Sequence, residues 1–514
     1  DAAPPIATRG LPDDPFFGLQ WHLLDTFFPG HDANVTPAWD LGYTGEGVTI
    51  CIVESNGFQL DHPDLVANVN TAISPPTTFT SSHMTSVAGI AAASAFNGIG
   101  VVGAAYDADL SQALIGTTFQ IIDALNRRND VNDIKNNSWG PFDNGQIDTV
   151  SSLITDTLES VTTDGRGGLG EILVWAGGNG QASADRVDYD PYASSRFTIA
   201  VGAIGDDDVQ AEYSEPGSSL LVCAPSSGGS MNITTTNSGS NYTFNFGGTS
   251  AASPLAAGVV ALMLQANPAL TWRDVQYILI DSARINDEND ERWSVNGAGR
   301  RINETYGFGA VDALAAVTLA EAWPGVEPET SISTGVVPVN AAIPDGPPEG
   351  VDRTVEVADS VRIESVELVM NVQSDFIGDL EITLTSPDGT VSTLSRQRFS
   401  DPQDDLVNTV FTSVRHWGER SDGQWTVHVA DRREGISAFW QDFELRFHGV
   451  SLGAGPCAAY DLAEPFGVLD LADLSAFVVA FLTGDLSADF AEPFGTLNGD
   501  DISAFVQQFN QGCP

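Results

Sequence analysis

The sequence has 514 residues and carries 21 Lys+Arg against 69 Asp+Glu, a formal net charge of −48. That length corresponds to about two to four domains and buries enough apolar surface to fold without disulfide staples. So acidic a surface repels nucleic acid and anionic membranes, and the longest apolar run, 254–264, is too short to cross a bilayer. Nucleic-acid binding and membrane insertion are therefore excluded. Calcium and cationic peptides are the partners such a surface suits, and a salt-adapted secreted surface is the plainer reading. Of the four cysteines, Cys51 and Cys223 lie in apolar runs and read as buried small hydrophobes. Cys457 and Cys513 bracket the last segment and are placed to form a clasp in an oxidising compartment. The chain begins at Asp1 rather than Met, as expected if a leader has been removed.

Up to about residue 320, short β-rich apolar runs alternate with helical patterns. The runs at 48–53, 171–176, 197–204 and 219–225 read as buried parallel strands. Segments 85–95, 119–129, 149–162, 250–266 and 271–283 read as helices. Alternation of this kind defines an α/β fold with a doubly wound parallel sheet, whose chemistry lies at the carboxyl ends of the strands. Residues 324–350 are rich in Pro and Gly and read as a linker or an extended crossing segment. From 351 to 452 the pattern alternates between turn signals, as in a β-sandwich. The last segment, 456–514, is an internal repeat: DLAEPFGVLDLADLSAFVVAF from Asp461 returns as DFAEPFGTLNGDDISAFVQQF from Asp489, each copy an acidic loop followed by an amphipathic helix.

Three segments carry nucleophilic chemistry. In FGGTSAASPLAAGVVALML a Gly-Gly turn delivers Ser250 onto the first turn of an apolar helix, where exposure and helix amides favour a nucleophilic hydroxyl. In SSHMTSVAGIAAA, His83 opens a second helix of small residues. In LVWAGGNG, Asn179 sits at a strand end beside Gly, where a side-chain amide can point into a cleft.

Together with DPFFGLQWHL, GYTGEGVTI, HPDL, NNSWGPFDNG, YSEPG and YGFGAVDA, these motifs closely resemble subtilisin-type serine proteases of the kexin/furin branch, and they cover most of 14–314. The 351–452 segment, with GDLEITLTSPDGT, HWGE and GQWTVHVAD, resembles the P-domain (homo B) that accompanies this branch. The tail resembles the dockerin-like repeats of secreted bacterial proteins. The resemblance implies a subtilisin-like peptidase domain over 1–323, a linker, a P-domain sandwich and a small helical repeat. It also implies a secreted or cell-surface, bacterial serine endopeptidase with Ser250 as nucleophile, His83 as general base and Asn179 as oxyanion donor.

One position departs from the family. Its triad aspartate ends the first catalytic strand, and this chain reads IVESNGFQLDHPDL there. Counting back without gaps from HPDL and Gly57 places Ser55 in the aspartate column and Glu54 one residue earlier. Adjacent side chains of a strand face opposite ways, so Glu54 is expected to point away from His83 unless the strand bulges. Met84 also stands where relatives carry Gly. Two classes of function remain open on the sequence. One is an endopeptidase with a weakened or bulge-rescued acid; the other is a pseudoprotease that binds basic peptides in a retained groove.

The resemblance further implies calcium, held in one site by Asp14, Asp64 and Asn97 and in a second by Asp143, Asp185 and Glu215. It puts Asp143 and Asp190 at the floor of the pocket for the residue before the scissile bond, which then favours Arg or Lys. The next subsite carries Asn56 and Thr80 where relatives are acidic, so dibasic selectivity is expected to be relaxed. In the tail, Asp461, Asp470 and Asp473, and again Asp489, Asn498 and Asp501, have the wrong spacing for a standard calcium loop. They read as part of a two-helix unit stabilised by Phe466, Phe477, Phe494 and Phe505, which is open to a cell-surface partner.

Overall fold

The computed structural model describes residues 10–452 apart from 78, 347–348 and 400, together with 462, 471–483, 488, 490 and 497–511. The tail aspartates Asp461, Asp470 and Asp489, the rings Phe466 and Phe494, and the Cys457/Cys513 pair lie outside the described residues.

The apolar runs assemble into a six-stranded parallel sheet of order β2-β1-β3-β4-β5-β6. Its strands are β1 (Thr49–Glu54), β2 (Asp109–Leu114), β3 (Ile134–Asn137), β4 (Ile172–Ala176), β5 (Thr198–Ile204) and β6 (Val222–Pro225). All six residues of β1 are buried, as expected of a strand covered on both faces. β2 and β3 were not legible as strands because they are half polar; Ser111, Gln112, Lys135, Asn136 and Asn137 are nonetheless buried and hydrogen-bonded. Lys135, the only lysine in the chain, is wholly buried against Glu171, with its ammonium also donating to Leu125 O and Asn129 Oδ1.

Helices cover the sheet: α1 (Val35–Asp40), α2 (Ser82–Ala92), α3 (Thr118–Leu125), α4 (Ser152–Gly168), α5 (Thr249–Ala266), α6 (Trp272–Ser282) and α7 (Ala313–Glu321). Among the described residues only α5 is long and apolar enough to cross a membrane, and it is a core helix, packed against α2, α7 and the sheet. Close packing explains its small residues: a Cβ on Gly258 would stand 2.6 Å from Ala104 Cβ. A hairpin of β7 (Ile233–Asn237) and β8 (Asn241–Phe246) lies over α2, and β9 (Ser294–Val295) and β10 (Arg301–Ile302) form a short ladder.

The second domain is a sandwich. One sheet holds β11 (Glu329–Ser333), β12 (Val337–Ile343), β14 (Val361–Ser374), β17 (Leu406–Ser413) and β19 (Ala438–Ser451). The other holds β13 (Val351–Val357), β15 (Leu380–Thr385), β16 (Val391–Ser395) and β18 (Gly423–Asp431). Their inner faces meet in a core that includes Leu368, Met370, Leu384, Trp425, Trp440 and Phe443. The reading of 324–350 as a linker is corrected here. β11 and β12 both pair antiparallel with β19, and the prolines and glycines that gave the segment its loop-like composition lie, apart from Pro338, outside the two strands.

The domains are joined by a buried pair, in which Arg273 Nε of α6 donates to Glu364 Oε2 of β14 at 2.7 Å and Tyr277 Oη donates to the other oxygen at 3.0 Å. In the tail, α8 (Leu471–Thr483) and α9 (Gly499–Gln511) stack Phe477 on Phe505, ring centroids 4.1 Å apart. Asp473 and Asp501 are wholly buried and spend carboxylate oxygens on the backbone N–H groups of Leu462 and Phe490, equivalent positions of the repeat. Asp501 also accepts from Asn498 N.

Candidate active site

Glu54 ends β1, which pairs with β2 in unbroken register from Thr49↔Asp109 to Glu54↔Leu114. With a period of two, Ile50, Ile52 and Glu54 share one face. Ile50 and Ile52 pack into the core that holds α2 and α5, whereas Cys51 and Val53 pack on the other side of the sheet with Ala124. Glu54 therefore faces the histidine helix without any bulge, and its carboxylate oxygens stand 3.0 and 2.9 Å from His83 Nδ1. Ser55 is exposed beyond the strand end, its hydroxyl accepting a long 3.4 Å bond from Asn56 Nδ2. The gap-free count that put Ser55 beside His83 is thus corrected.

His83 sits in the first turn of α2, which is capped by Ser81 and fastened to β7: Ser86 Oγ donates to Thr236 O, while Thr235 Oγ1 and Thr236 Oγ1 donate to the carbonyls of Ser86 and Thr85. Met84 is fully buried in the core. Phe246 packs edge-on against the imidazole at 5.4 Å. Burial opposes charge on His83, but the hydrogen bond and the charge of Glu54 outweigh it and hold the imidazole above its ordinary pKa. Burial likewise lifts Glu54, with His83 offsetting part of the rise. An ionised carboxylate only accepts hydrogen bonds, so Nδ1 carries the donated proton and Nε2 is left as the basic nitrogen.

Ser250, partly exposed, stands in the first turn of α5 after Gly248, whose φ of 77° needs glycine. The turn is held from both sides. Tyr213 Oη accepts from Gly248 N at 3.1 Å and donates to Ser227 O at 2.6 Å, while Ser226 Oγ donates to Gly248 O at 2.7 Å. Ser138 Oγ donates to Ser250 O at 3.1 Å, and Ser253 Oγ to Asn136 Oδ1 at 2.7 Å, tying α5 to the end of β3. Asn179 follows β4 and is exposed. Its side-chain oxygen accepts from Thr249 N at 2.8 Å and Thr249 Oγ1 at 3.1 Å, which leaves its amide NH2 as the donating end, with the Asp143 carboxylate among the groups it meets. Sequence reading passed over Tyr213, Ser226 and Ser227; the tyrosine of YSEPG was the available signal.

Beside this loop lies an acidic pocket lined by Asp143, Asp148, Asp185, Asp190 and Glu215, with Phe142 and Tyr189. Gly178 and Gly180 make room for it: a Cβ on Gly178 would stand 2.3 Å from Glu215 Oε1, and one on Gly180 2.6 Å from Asp185 Cβ and 2.8 Å from Asp143 Cβ. Glu215 accepts from Gly180 N, Asp185 from Gly145 N and Arg186 N, and Asp190 from Tyr192 N and Ala193 N. Among the described residues none of these five carboxylates forms an ion pair with a basic side chain. Burial, with neighbouring carboxylates adding, pushes Asp185 up to about 6 and Asp190 to about 7, and raises Glu215 as well. The pocket is therefore built for a cation. Asp148 was not singled out in the sequence.

Asp14, Asp64 and Asn97 also meet. Asp14 accepts from Phe96 N and Asn97 N, Asp64 from Val101 N at 2.8 Å and from Asn97 Nδ2 at 2.8 Å. Burial lifts Asp64 to about 6, and Asp14 adds to the rise. The two carboxylates fit a hard cation, whereas Asn97 turns its amide nitrogen to Asp64 and its oxygen to Ile99 N, so its amide must turn over to ligate. Among the described residues no three acidic, histidine or cysteine side chains close into a metal cage by themselves. A cation at either place would draw the rest of its shell from backbone carbonyls and water. Asn56 is exposed at the rim, near the Gly57–Thr80 bridge.

An α/β domain with a histidine on one helix, a serine opening another and a strand-end carboxylate behind the histidine is the architecture of a subtilisin-like protein. The chain belongs to the subtilase family, whose model matches residues 45–309, and it carries a proprotein convertase P-domain over 363–447. It is 34% identical to kexin of Saccharomyces cerevisiae over 483 residues, 88% of this chain and 59% of that protein. To neuroendocrine convertase 2 of Homo sapiens it is 37% identical, over 85% of this chain and 74% of that one. The chain covers 52% of kexin of Candida albicans and 61% of protease KEX1 of Kluyveromyces lactis, so it spans little more than half the length of several relatives it matches. A crystal structure of an Aeromonas sobria serine protease superposes with a TM-score of 0.77 over 85% of this chain and 96% of that one, at 23% identity, a likeness of fold.

Proposed function

We propose that the chain is a secreted, calcium-dependent serine endopeptidase that cuts after basic residues. The observation that carries this reading is the Glu54 carboxylate hydrogen-bonded to His83 Nδ1. An acid in that place fixes the tautomer and stabilises the imidazolium, which a binding module derived from a protease has no need of. His83 Nε2 takes the proton from the Ser250 hydroxyl as its oxygen attacks the scissile carbonyl. The Asn179 NH2 and the first-turn amides of α5 receive the developing oxyanion; a donor of this kind contributes roughly 3 kcal/mol. His83 then returns the proton to the leaving amine, and water repeats the cycle on the acyl-Ser250 ester.

The uncompensated carboxylates beside the cleft support Arg or Lys before the scissile bond, with Asp143 and Asp190 as the pairing groups. Asn56 and Thr80 supply no charge to the next subsite, so a second basic residue adds little. Calcium held near Asp143, Asp185 and Glu215, and near Asp14, Asp64 and Asn97, would neutralise repelling carboxylates and fix their loops. The test is cleavage of a fluorogenic Arg-terminated peptide in calcium by the native chain and by Ser250→Ala. Cleavage that disappears in the variant upholds the reading. No cleavage by the native chain, together with tight binding of the intact peptide, overturns it in favour of a pseudoprotease.

A further inference from the structure

The loop between β3 and α4 holds an aromatic ring out in water. Phe142 is 88% exposed, more than any other large apolar side chain among the described residues. The loop that presents it is braced on both sides. Before it, Trp139 packs edge-on against Trp175 and Tyr192, with ring centroids 4.8 and 4.9 Å away, and its carbonyl accepts from Trp175 Nε1 at 2.7 Å. Gly140 passes so close to Asp190 that a Cβ there would stand 2.7 Å from Oδ2, and Pro141 fixes the backbone immediately ahead of the ring. After it, Gly145 N donates to Asp185 Oδ2 at 2.8 Å and Gln146 N to Asn144 Oδ1 at 2.9 Å.

Scattered exposed apolar residues are ordinary on a protein surface and need no explanation. Phe142 differs because it lines the acidic pocket, where every charged neighbour is a carboxylate. In the sheet order β1-β3-β4, its loop stands between the loop after β1, which carries Asn56, and the loop after β4, which carries Asn179. A substrate held extended, with its basic side chain in the pocket, turns the preceding side chain to its opposite face, towards Asn56 and Thr80. The side chain before that returns to the pocket face, about 7 Å along the chain, because the period of a strand is two. On that face the apolar group at the pocket is Phe142.

We propose that Phe142 determines specificity at the position two residues before the basic one, where it selects an aliphatic or aromatic side chain. The proposal rests on the reading of the chain as a peptidase that takes Arg or Lys in the acidic pocket. Contact between the ring and an apolar side chain removes the surface of both from water, which a charged or very small residue cannot match. The braced loop supplies this contact without first having to be ordered, so little of the gain is lost to conformational entropy. The substrates so defined read apolar, any residue, basic.

The test is the cleavage in calcium of acetylated fluorogenic peptides X-Ala-Arg, with X as Leu, Phe or Gly, by the native chain, Phe142→Ala and Ser250→Ala. In the native chain kcat/KM for X as Leu or Phe should exceed that for Gly by about fivefold, the effect of partly covering one such side chain. In Phe142→Ala the ratio should fall to within about twofold, and the change should lie in KM. Cleavage that depends on Ser250 but shows no preference at X overturns the proposal and leaves the peptidase reading standing. So does a preference that persists in Phe142→Ala, or an equal loss for all three peptides. If the native chain cleaves none of them, the peptidase reading fails by itself, and calorimetric binding of the same intact peptides measures the same ratio. Equal affinities for the three, or no binding, then overturn the assignment of Phe142.

Discussion

At the scale of the residue, the pairing of Glu54 with His83 governs the expected chemistry. Glu54→Gln leaves the geometry nearly intact but favours the wrong tautomer, and the corresponding change in a well-studied triad costs roughly 10⁴ in turnover. A loss of about that size in kcat is expected here, with KM little altered, while Ser55→Ala stays within about twofold of native. A large loss in Ser55→Ala with an active Glu54→Gln would reverse the assignment. The pH profile provides a second check. His83 must be neutral to act as base, and Glu54 holds its pKa above the ordinary value, so kcat/KM falls as pH drops through that raised value. In Glu54→Gln the acid limb should move to lower pH. The nucleophile, base and oxyanion amide were legible because each lies in an extended motif. The acid was not, because the choice between Glu54 and Ser55 depends on which face of β1 points at α2, and a gap-free count carries no information on that.

At the scale of the element, the short polypeptide 213–217 holds the site together. Tyr213 clamps the turn before Ser250, and Glu215 binds the backbone of Gly180 in the loop that carries Asn179. One segment therefore sets the separation between nucleophile and oxyanion donor. Tyr213→Phe removes the bond to Gly248 N while keeping the ring, and a misplacement of the serine turn appears in kcat before it appears in binding. A drop of roughly tenfold or more in kcat at constant KM is expected, with an unchanged far-ultraviolet spectrum. A rise in KM alone would mean that the clamp shapes the pocket and not the nucleophile. Sequence periodicity recovered the apolar strands and helices α2 to α6 of the peptidase domain, and passed over the short α1 and α7. It missed β2 and β3, whose polar side chains are satisfied internally, and β11 and β12, whose pairing partner lies about a hundred residues away.

At the scale of the whole molecule, the sandwich reaches the acidic pocket directly. The guanidinium of Arg398, wholly buried against Asp401, lies 4.5 Å from the ring centroid of Tyr189, the residue before Asp190. Arg396 N donates to Tyr189 Oη at 3.0 Å, and Arg186 Nη2 donates to Thr393 O at 2.8 Å. The P-domain thus braces the wall of the pocket assigned to the basic side chain. Arg398→Ala should raise KM for an Arg-terminated peptide more than it lowers kcat, and equal effects on both would place the brace elsewhere.

Stability against acid is also a property of the whole fold, because the chain's charge is so one-sided and its only lysine is internal. His22 is fully buried and neither ring nitrogen has a hydrogen-bond partner, so burial lowers its pKa to about 3. In the unfolded chain the same imidazole titrates near 6.5. The unfolded state therefore binds the extra proton over that whole interval, and stability falls as pH drops from about 6.5 towards 3. The full interval corresponds to roughly 4–5 kcal/mol for this one group. His22→Leu, which cannot titrate and leaves no buried ring nitrogen unmet, should flatten the acid side of the stability curve while changing the melting temperature at pH 8 much less. Urea unfolding of the native chain and the variant at pH 8, 6 and 4 measures it. Parallel curves would mean that His22 is not the group that titrates, and converging stability towards pH 8 would identify it.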